Sequence, residues 1–514
     1  MAKSKKVTST LVGTYRRDCK AWIHDKMLYN YPVGPKTGNR NLETDKIKYV
    51  FLHNRNAKLL KFAASFSKNV SVSELKALGY PVSDKPRSDT YALFELKPYD
   101  VVNTNAKAIA NKNTVCSYHF VVSLNDFATT DEDKSILSHW LHNKGTPFAK
   151  PYEKRTKQLL SQELMDHFTS GSVVCESAAQ QTFFPELFDV PFPPPENPTF
   201  TFIDLFAGIG GFRLAMQSLG GKCVFSSEWD LAAQKTYSAN YGELPFGDIR
   251  KEEIKNLIPD GFDVLCAGFP CQPFSLAGVS ARKSLSKAHG FECKTQGTLF
   301  FDVMKIVSKK RPRIIFLENV RNLKNHDNGR TFSTIEESIK AEGYSFHWAL
   351  IDASPMVPQK RVRCYMVCVR DKDIFNFPAV KGKELPLSSI LEKNVGPEFT
   401  ISDRLWEGHQ RRTQRNLSRG VGFTAFCADI TKPSHTLVAR YYKDGKECLV
   451  PQLNNNPRML TPRECARLQG YPDDFILHSS RAVAYKQMGN SVAVPIIKII
   501  SQAIYKQLLE KEDL

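Results

Sequence analysis

Phe202–Met216 reads FIDLFAGIGGFRLAM. An apolar, β-rich run ends at a cluster of glycines, Gly208, Gly210 and Gly211, and a helix-like run starts at once. Glycine lets a backbone approach a ligand closely. The free N–H groups at a helix start favour negative charge. The spacing falls short of a full G-x-G-x-x-G, so a dinucleotide reading is weak. Taken alone, the stretch indicates a ligand with an anionic group.

Downstream, KCVFSSEW (222–229), FDVLCAGFP (262–270) and RIIFLENV (313–320) repeat the pattern of a short β-rich run, a turn and usually a helix-like segment. Strands alternating with helices predict an α/β, Rossmann-like, mostly parallel sheet with helices on both faces. Ligands of such sheets bind at the carboxyl ends of the strands. KCVFSSEW ends in Glu228 and Trp229, suited to ribose hydroxyls and to stacking on a purine. Gly247-Asp248-Ile249 adds a carboxylate suited to an adenine amino group. Each alone reads as a solvated carboxylate or a core tryptophan. In register at successive strand ends they favour an adenosine ligand.

FDVLCAGFP leads into GFPCQPFS (268–275), where Cys271 stands between Pro270 and Pro273. Only a thiolate is a good nucleophile, and two rigid prolines hold a sulfur in one direction. A lone cysteine is more often a small core residue. What distinguishes this one is its company. Glu318 and Asn319 end the next run, and a carboxyl there serves as a general acid if its pKa is raised. In PQKRVRCYMV (358–367), Gln359, Arg361 and Arg363 recur at period two, which predicts one face of a strand carrying two guanidiniums.

The wider chain fits a multi-domain, nucleic-acid-directed protein. Its 514 residues exceed one ordinary core. A net charge of +18 favours a polyanionic partner. Twelve cysteines without a C-x-x-C pair argue against a zinc cluster, and no metal is expected. No secretory signal or membrane span is read, so a cytoplasmic protein is expected. The proline-rich DVPFPPPENPTF (189–200) reads as a linker. Residues 1–188 read as an α+β domain, with strands in KIKYVFLHN, TYALFELKP and VCSYHFVVSL. Helices are expected in DEDKSILSHWLHNKG and KQLLSQELMDHF. Residues 371–457, which contain EGHQRRTQRNLSRGVGF, read as a loop-rich, irregular basic module.

From about residue 201 onward the chain resembles the DNA (cytosine-5) methyltransferases of bacterial restriction–modification systems. DLFAGIGGFR, SEWD, GDI, GFPCQPFS, GTLF, ENV, QKRVR, RMLTPRECARLQGYPDDF and MGNSVAVPI follow in that family's order over about three-fifths of the sequence. The resemblance implies a class I methyltransferase fold using S-adenosylmethionine. It implies that Cys271 attacks C6 of a cytosine, Glu318 protonates N3, Arg363 with Arg361 holds the base carbonyl, and Asn319 supports the loop. Phe206, Gly208, Ile209, Gly211, Glu228, Trp229, Asp248, Ile249, Leu299, Asn490 and Ser491 would line the cofactor site.

The implied organisation is an accessory domain over 1–188 and a catalytic domain over 201–370. Target recognition would occupy 371–457, a small-domain segment 458–484, and a C-terminal return 485–514. The loop after Cys271 is expected to close over a flipped base. Arg411, Arg412, Arg415 and Arg419 suit phosphate or guanine edges, and Thr436-Leu437 falls at the usual place in the recognition domain. Double-stranded DNA is the expected partner of a monomeric enzyme, with a cognate restriction endonuclease acting on the same site. An RNA cytosine-5 methyltransferase is the alternative. In the N-terminal region the excess of early charges (Lys3, Lys5, Lys6, Arg16, Arg17 and Lys20 against Asp18) suggests DNA binding. Asp84, Glu95 and Lys97 faintly echo a metal-dependent nuclease fused to the methyltransferase.

Overall fold

The computed structural model describes residues 10–14, 20–33, 49–54, 57–82, 86, 88–98, 120–121, 128, 130–159, 187, 190–270, 299–371, 374–420, 425 and 427–510. By its contacts the chain forms two compact units, Met1–Ser138 with Glu153–Pro193, and His139–Tyr152 with Pro194–Leu514.

The first unit is α+β. Its strands are β1 (Thr10–Thr14), β2 (Leu28–Val33), β3 (Tyr49–Asn54), β4 (Ala57–Ser71), β5 (Thr90–Pro98) and β6 (Phe120–Val121). They form one sheet in the order β2-β5-β4-β3-β1-β6, antiparallel except for the β1–β3 pair. Helices α1 (Lys20–Lys26) and α2 (Val72–Ala77) belong to it. Ser71 and Glu74 form a capping box that starts α2 straight off the end of β4. Trp22, Ile23, Val50, Val70, Leu75 and Phe94 meet in its core.

TYALFELKP is strand β5, as expected. Only Phe120–Val121 of VCSYHFVVSL is a described strand, and KQLLSQELMDHF is described only as far as Leu159. Asp84 lies outside the described residues. Glu95 accepts a hydrogen bond from Ser67, and no cluster of His, Cys, Asp and Glu among the described residues is arranged to hold a metal.

Helices α3 (Asp131–Asn143) and α4 (Lys150–Leu159) follow. The second unit is built on β7 (Phe200–Leu205), α5 (Gly211–Gln217), β8 (Gly221–Ser227), α6 (Leu231–Tyr241), α7 (Glu252–Asn256) and β9 (Val264–Ala267). Next come α8 (Leu299–Lys310), β10 (Ile314–Val320), α9 (Arg330–Ala341), β11 (His347–Asp352) and β12 (Val362–Val369). The sheet order is β11-β12-β10-β9-β7-β8. β8, β7, β9 and β10 run parallel, and β12 inserts antiparallel between β10 and β11. The parallel strands are buried almost throughout because both faces of such a sheet are covered. β9 is buried throughout.

The order change beside β7 places the carboxyl ends of β7, β8, β9 and β10 around one crevice. A later group comprises α10 (Asp403–Ser418), α11 (Tyr441–Asp444), the hairpin β13 (Leu449–Gln452) and β14 (Asn455–Met459), and α12 (Pro462–Leu468). Helices α13 (Arg481–Asn490) and α14 (Val494–Ile504) bring the chain back against α5.

One expectation for residues 371–457 is corrected. EGHQRRTQRNLSR is not loop but most of α10, a helix of 16 residues. Its arginines and glutamines are good helix formers. Ser402 caps its start, and His409 and Thr413 fasten it through bonds to Asp444 O and Ala425 O. Too few apolar residues mark its inner face for periodicity to reveal it.

Arg481–Leu509 is the one described stretch whose length and apolar composition would suffice to cross a membrane. It is interrupted at residues 491–493, and its Val494–Ile504 part buries Ile496, Ile497 and Ile500.

Candidate active site

The turn after β7 begins with Phe206 and Gly208 at φ +55° and Gly210 at +86°. The glycines have different causes. A Cβ on Gly210 would stand 2.2 Å from the Tyr241 ring, and one on Gly211 would stand 2.6 Å from Val492 Cγ2. Both are demanded by the protein's own packing, and the Tyr241 hydroxyl donates to Gly210 O at 2.7 Å. Gly208 faces open space and is the glycine left for a ligand.

Glu228 locks this turn to the end of β8. Its carboxylate accepts from Gly208 N and from Asp230 N, both at 2.8 Å. Burial raises its pKa, with those amide bonds pulling back. Trp229 is 73% exposed, so the reading of it as a core residue fails and its indole face is presented outward. Ile249 is buried. Asp248 is gripped by Arg250, with Nε 2.8 Å from Oδ2, which lowers its pKa. Leu299 opens α8. Asn490 ends α13 and is exposed, and Ser491 Oγ lies 2.6 Å from the Tyr471 hydroxyl. Tyr241 and Tyr471 brace the glycine turn; Tyr471 lies within RMLTPRECARLQGYPDDF, whereas Tyr241 carries no motif signal, and neither bracing role is legible in the sequence.

At the other end of the crevice, β9 runs out into Gly268-Phe269-Pro270. Cys271 and the expected closing loop lie outside the described residues. The backbone leading to Cys271 is held by Asn319, whose Nδ2 donates to Phe269 O at 2.9 Å. Glu318 Oε2 would be 3.8 Å from a Cβ on Gly268, so its carboxyl reaches over the same turn. Arg363 Nε lies 3.3 Å from Glu318 Oε1, and both side chains are largely enclosed. Burial raises the Glu318 pKa against the attraction of Arg363 and then Arg361.

The two arginines do not share one task, which corrects the period-two reading. β12 begins only at Val362, so Gln359 and Arg361 precede the strand. Arg361 is buried and donates to Leu437 O at 3.1 Å and to Ser491 O. Gln359 donates to Leu468 O and accepts from Leu437 N. Both tie together the three chain segments behind the site. Burial and the neighbouring Arg363 bring the Arg361 pKa down to about 9. Arg363 alone turns toward Glu318.

Glu318 and Arg363 therefore form a largely enclosed acid and cation beside the turn that leads to Cys271 in the sequence. Some distance along the same strand ends stand an exposed indole and two carboxylates. This arrangement suits an activated nucleophile, proton delivery to an attacked ring and a nucleoside-bearing donor.

Comparison with known proteins agrees. A family model described as C-5 cytosine-specific DNA methylase matches residues 200–506. The type II methyltransferase M.SsoII of Shigella sonnei is 47% identical over 326 residues, which cover 62% of this chain and 83% of that protein. M1.ScrFI of Lactococcus lactis subsp. cremoris is 48% identical over 337 residues, 64% of this chain and 83% of its own. M.HpaII of Haemophilus parainfluenzae is 44% identical over 346 residues, 62% of this chain and 93% of its own.

Proposed function

The chain belongs to the C-5 cytosine-specific DNA methylase family and is a DNA (cytosine-5) methyltransferase; on that premise we propose which of its residues carry the reaction. Cys271 is the nucleophile, Glu318 the acid at N3, and Arg363 the clamp on the base carbonyl. The observation that carries this reading is the enclosed Glu318–Arg363 pair, set over a turn that Asn319 fixes immediately before Cys271.

The target cytosine leaves the base stack, because its reacting atoms are inaccessible inside a duplex. The Cys271 thiolate adds to C6 while the Glu318 carboxyl gives its proton to N3. The ring then carries electron density at C5. After methylation N3 returns its proton to the Glu318 carboxylate, a water takes the C5 proton, and the electron pair of that C–H bond restores the C5–C6 double bond as the Cys271 thiolate is expelled. Burial, which raises the Glu318 pKa, favours the protonated form that this step requires.

S-adenosylmethionine, when bound, supplies an electrophilic methyl group. The residues fit it. Trp229 offers an exposed ring to the adenine, Glu228 a carboxylate to the ribose, and Gly208 an open backbone to the methionine part. Asp248 must share its carboxylate with Arg250 to reach the adenine amino group. Phe206, Ile209, Gly211, Ile249, Leu299, Asn490 and Ser491 complete the wall.

We assign recognition of the target sequence to residues 371–457, where Arg411, Arg412, Arg415 and Arg419 are exposed on or just after α10. We further propose a cytoplasmic, monomeric enzyme that protects sites cut by a cognate endonuclease, as the type II names of its relatives suggest.

The test uses full-length protein, duplex DNA and a labelled methyl donor. Cys271→Ser and Glu318→Gln are each expected to lower methyl transfer by about 10²–10⁴-fold or more while DNA affinity stays intact. Full activity in Cys271→Ser would remove the mechanism.

A further inference from the structure

A piece of chain preceding the family-matched region is packed inside the catalytic unit. His139–Tyr152 belongs to that unit, whereas the family match begins at residue 200. It lies against β8, the edge strand of the sheet. An edge strand presents unpaired backbone groups that need partners. Here Asn143 Nδ2 and the Tyr152 hydroxyl both donate to Val224 O, at 3.2 and 3.3 Å.

His139 goes further. Its ring is fully buried, as are Arg213, Ser226 and Glu243. His139 Nε2 accepts from Ser226 N at 3.3 Å and lies 3.2 Å from Glu243 Oε1. That same oxygen accepts from Arg213 Nη1 at 2.8 Å and from Ser226 Oγ at 2.7 Å. The ring also packs on Phe246, with centroids 4.5 Å apart.

These contacts converge beneath the donor site. Ser226 precedes Glu228 by two residues, and Phe246 precedes Asp248 by two. The end of β8 and the Phe246 segment are joined by Phe246 N to Ser226 O and Glu228 N to Phe246 O, at 2.9 and 2.8 Å. One imidazole thus backs both carboxylates.

We propose that His139 is a positioning residue for the methyl-donor site, supplied by a segment that the family-matched region lacks. This rests on the assignment of Glu228 and Asp248 to that site.

The test measures S-adenosylmethionine affinity by calorimetry, DNA affinity by anisotropy, and steady-state methyl transfer, on full-length protein. His139→Ala is expected to raise the donor Kd and KM roughly tenfold, with kcat and DNA affinity within about twofold of wild type. His139→Gln, whose amide reaches the same partners, should recover most of the loss. Unchanged donor affinity in His139→Ala, alongside weakened binding in Glu228→Ala, overturns the proposal. Unchanged affinity in Glu228→Ala instead overturns the donor-site assignment itself. If His139→Ala does not fold, Tyr152→Phe and Asn143→Ala serve. Each should weaken the donor by about two- to threefold, the effect of one marginal hydrogen bond. Wild-type affinity in both overturns the proposal.

Discussion

Asp204 lies buried near the end of β7, and burial pushes its carboxyl up to about 8, with Arg213 pulling the other way. In the unfolded chain the same group titrates near the ordinary value of about 4. Between those values the native state holds the extra proton. Its contribution to stability is therefore fully present below about pH 4 and is lost as pH rises toward about 8. Asp204→Asn removes this titration. The variant should gain on wild type by on the order of 2–4 kcal/mol between about pH 5 and pH 8.5 in urea unfolding. Parallel curves would show that Asp204 is already ionised in the native protein. Single residues were unevenly legible in the sequence. The glycines of the β7 turn were visible, but their reasons were not. Gly210 and Gly211 answer to Tyr241, Tyr471 and Val492, which are distant in sequence; Tyr471 and Val492 stand in motifs, but no motif says which glycine they pack against. Arg361 and Arg363 looked equivalent at period two. Only tertiary packing separates a buried tie from a side chain that faces the site.

At the level of elements, α12 shows how the small segment after the recognition region is held. Thr461 and Glu464 form a capping box, with Pro462 in the first turn. The Glu464 carboxylate also receives both terminal nitrogens of Arg458, each at 2.8 Å, in a nearly enclosed pair. Removing one partner strands a buried charge. Arg458→Ala should cost about 3–5 kcal/mol in chemical denaturation, and Thr461→Ala about 1 kcal/mol through the lost cap. A cost below about 1 kcal/mol for Arg458→Ala would mean that Glu464 reaches water or takes up a proton. TPRE announces this helix in the sequence, because its capping chemistry is local. The same holds for β7 and β9, whose apolar runs are closed by glycine. β4 was there to be read in the period-two series Leu60, Phe62, Ala64 and Phe66, interrupted afterwards by the irregularity between Phe66 and Lys68. α10 was not. Its inner face is satisfied by polar bonds from His409 and Thr413, and hydrophobic periodicity does not register those.

For the whole molecule, the net charge of +18 and the exposed arginines of α10 imply binding that is strongly dependent on salt. Each phosphate contact releases counterions, so log K should fall linearly with log salt. Replacing Arg411, Arg412, Arg415 and Arg419 with alanine should flatten that slope by about 1 for every residue that contacts phosphate. An unchanged slope would move the DNA surface elsewhere. The α/β fold of the catalytic unit was readable in the sequence, whereas the placement of His139–Tyr152 within that unit was not. That placement depends on side chains filling the edge of β8, and nothing in the local sequence marks them. The central claim is sequence-specific cytosine-5 methylation through Cys271. Its most direct test is bisulfite sequencing of DNA from a methylation-free host expressing the full chain, beside the same host expressing Cys271→Ser. The account predicts methylated cytosines confined to one short motif with the first protein and none with the second. Methylation by both, or by neither while donor and DNA still bind, would contradict it.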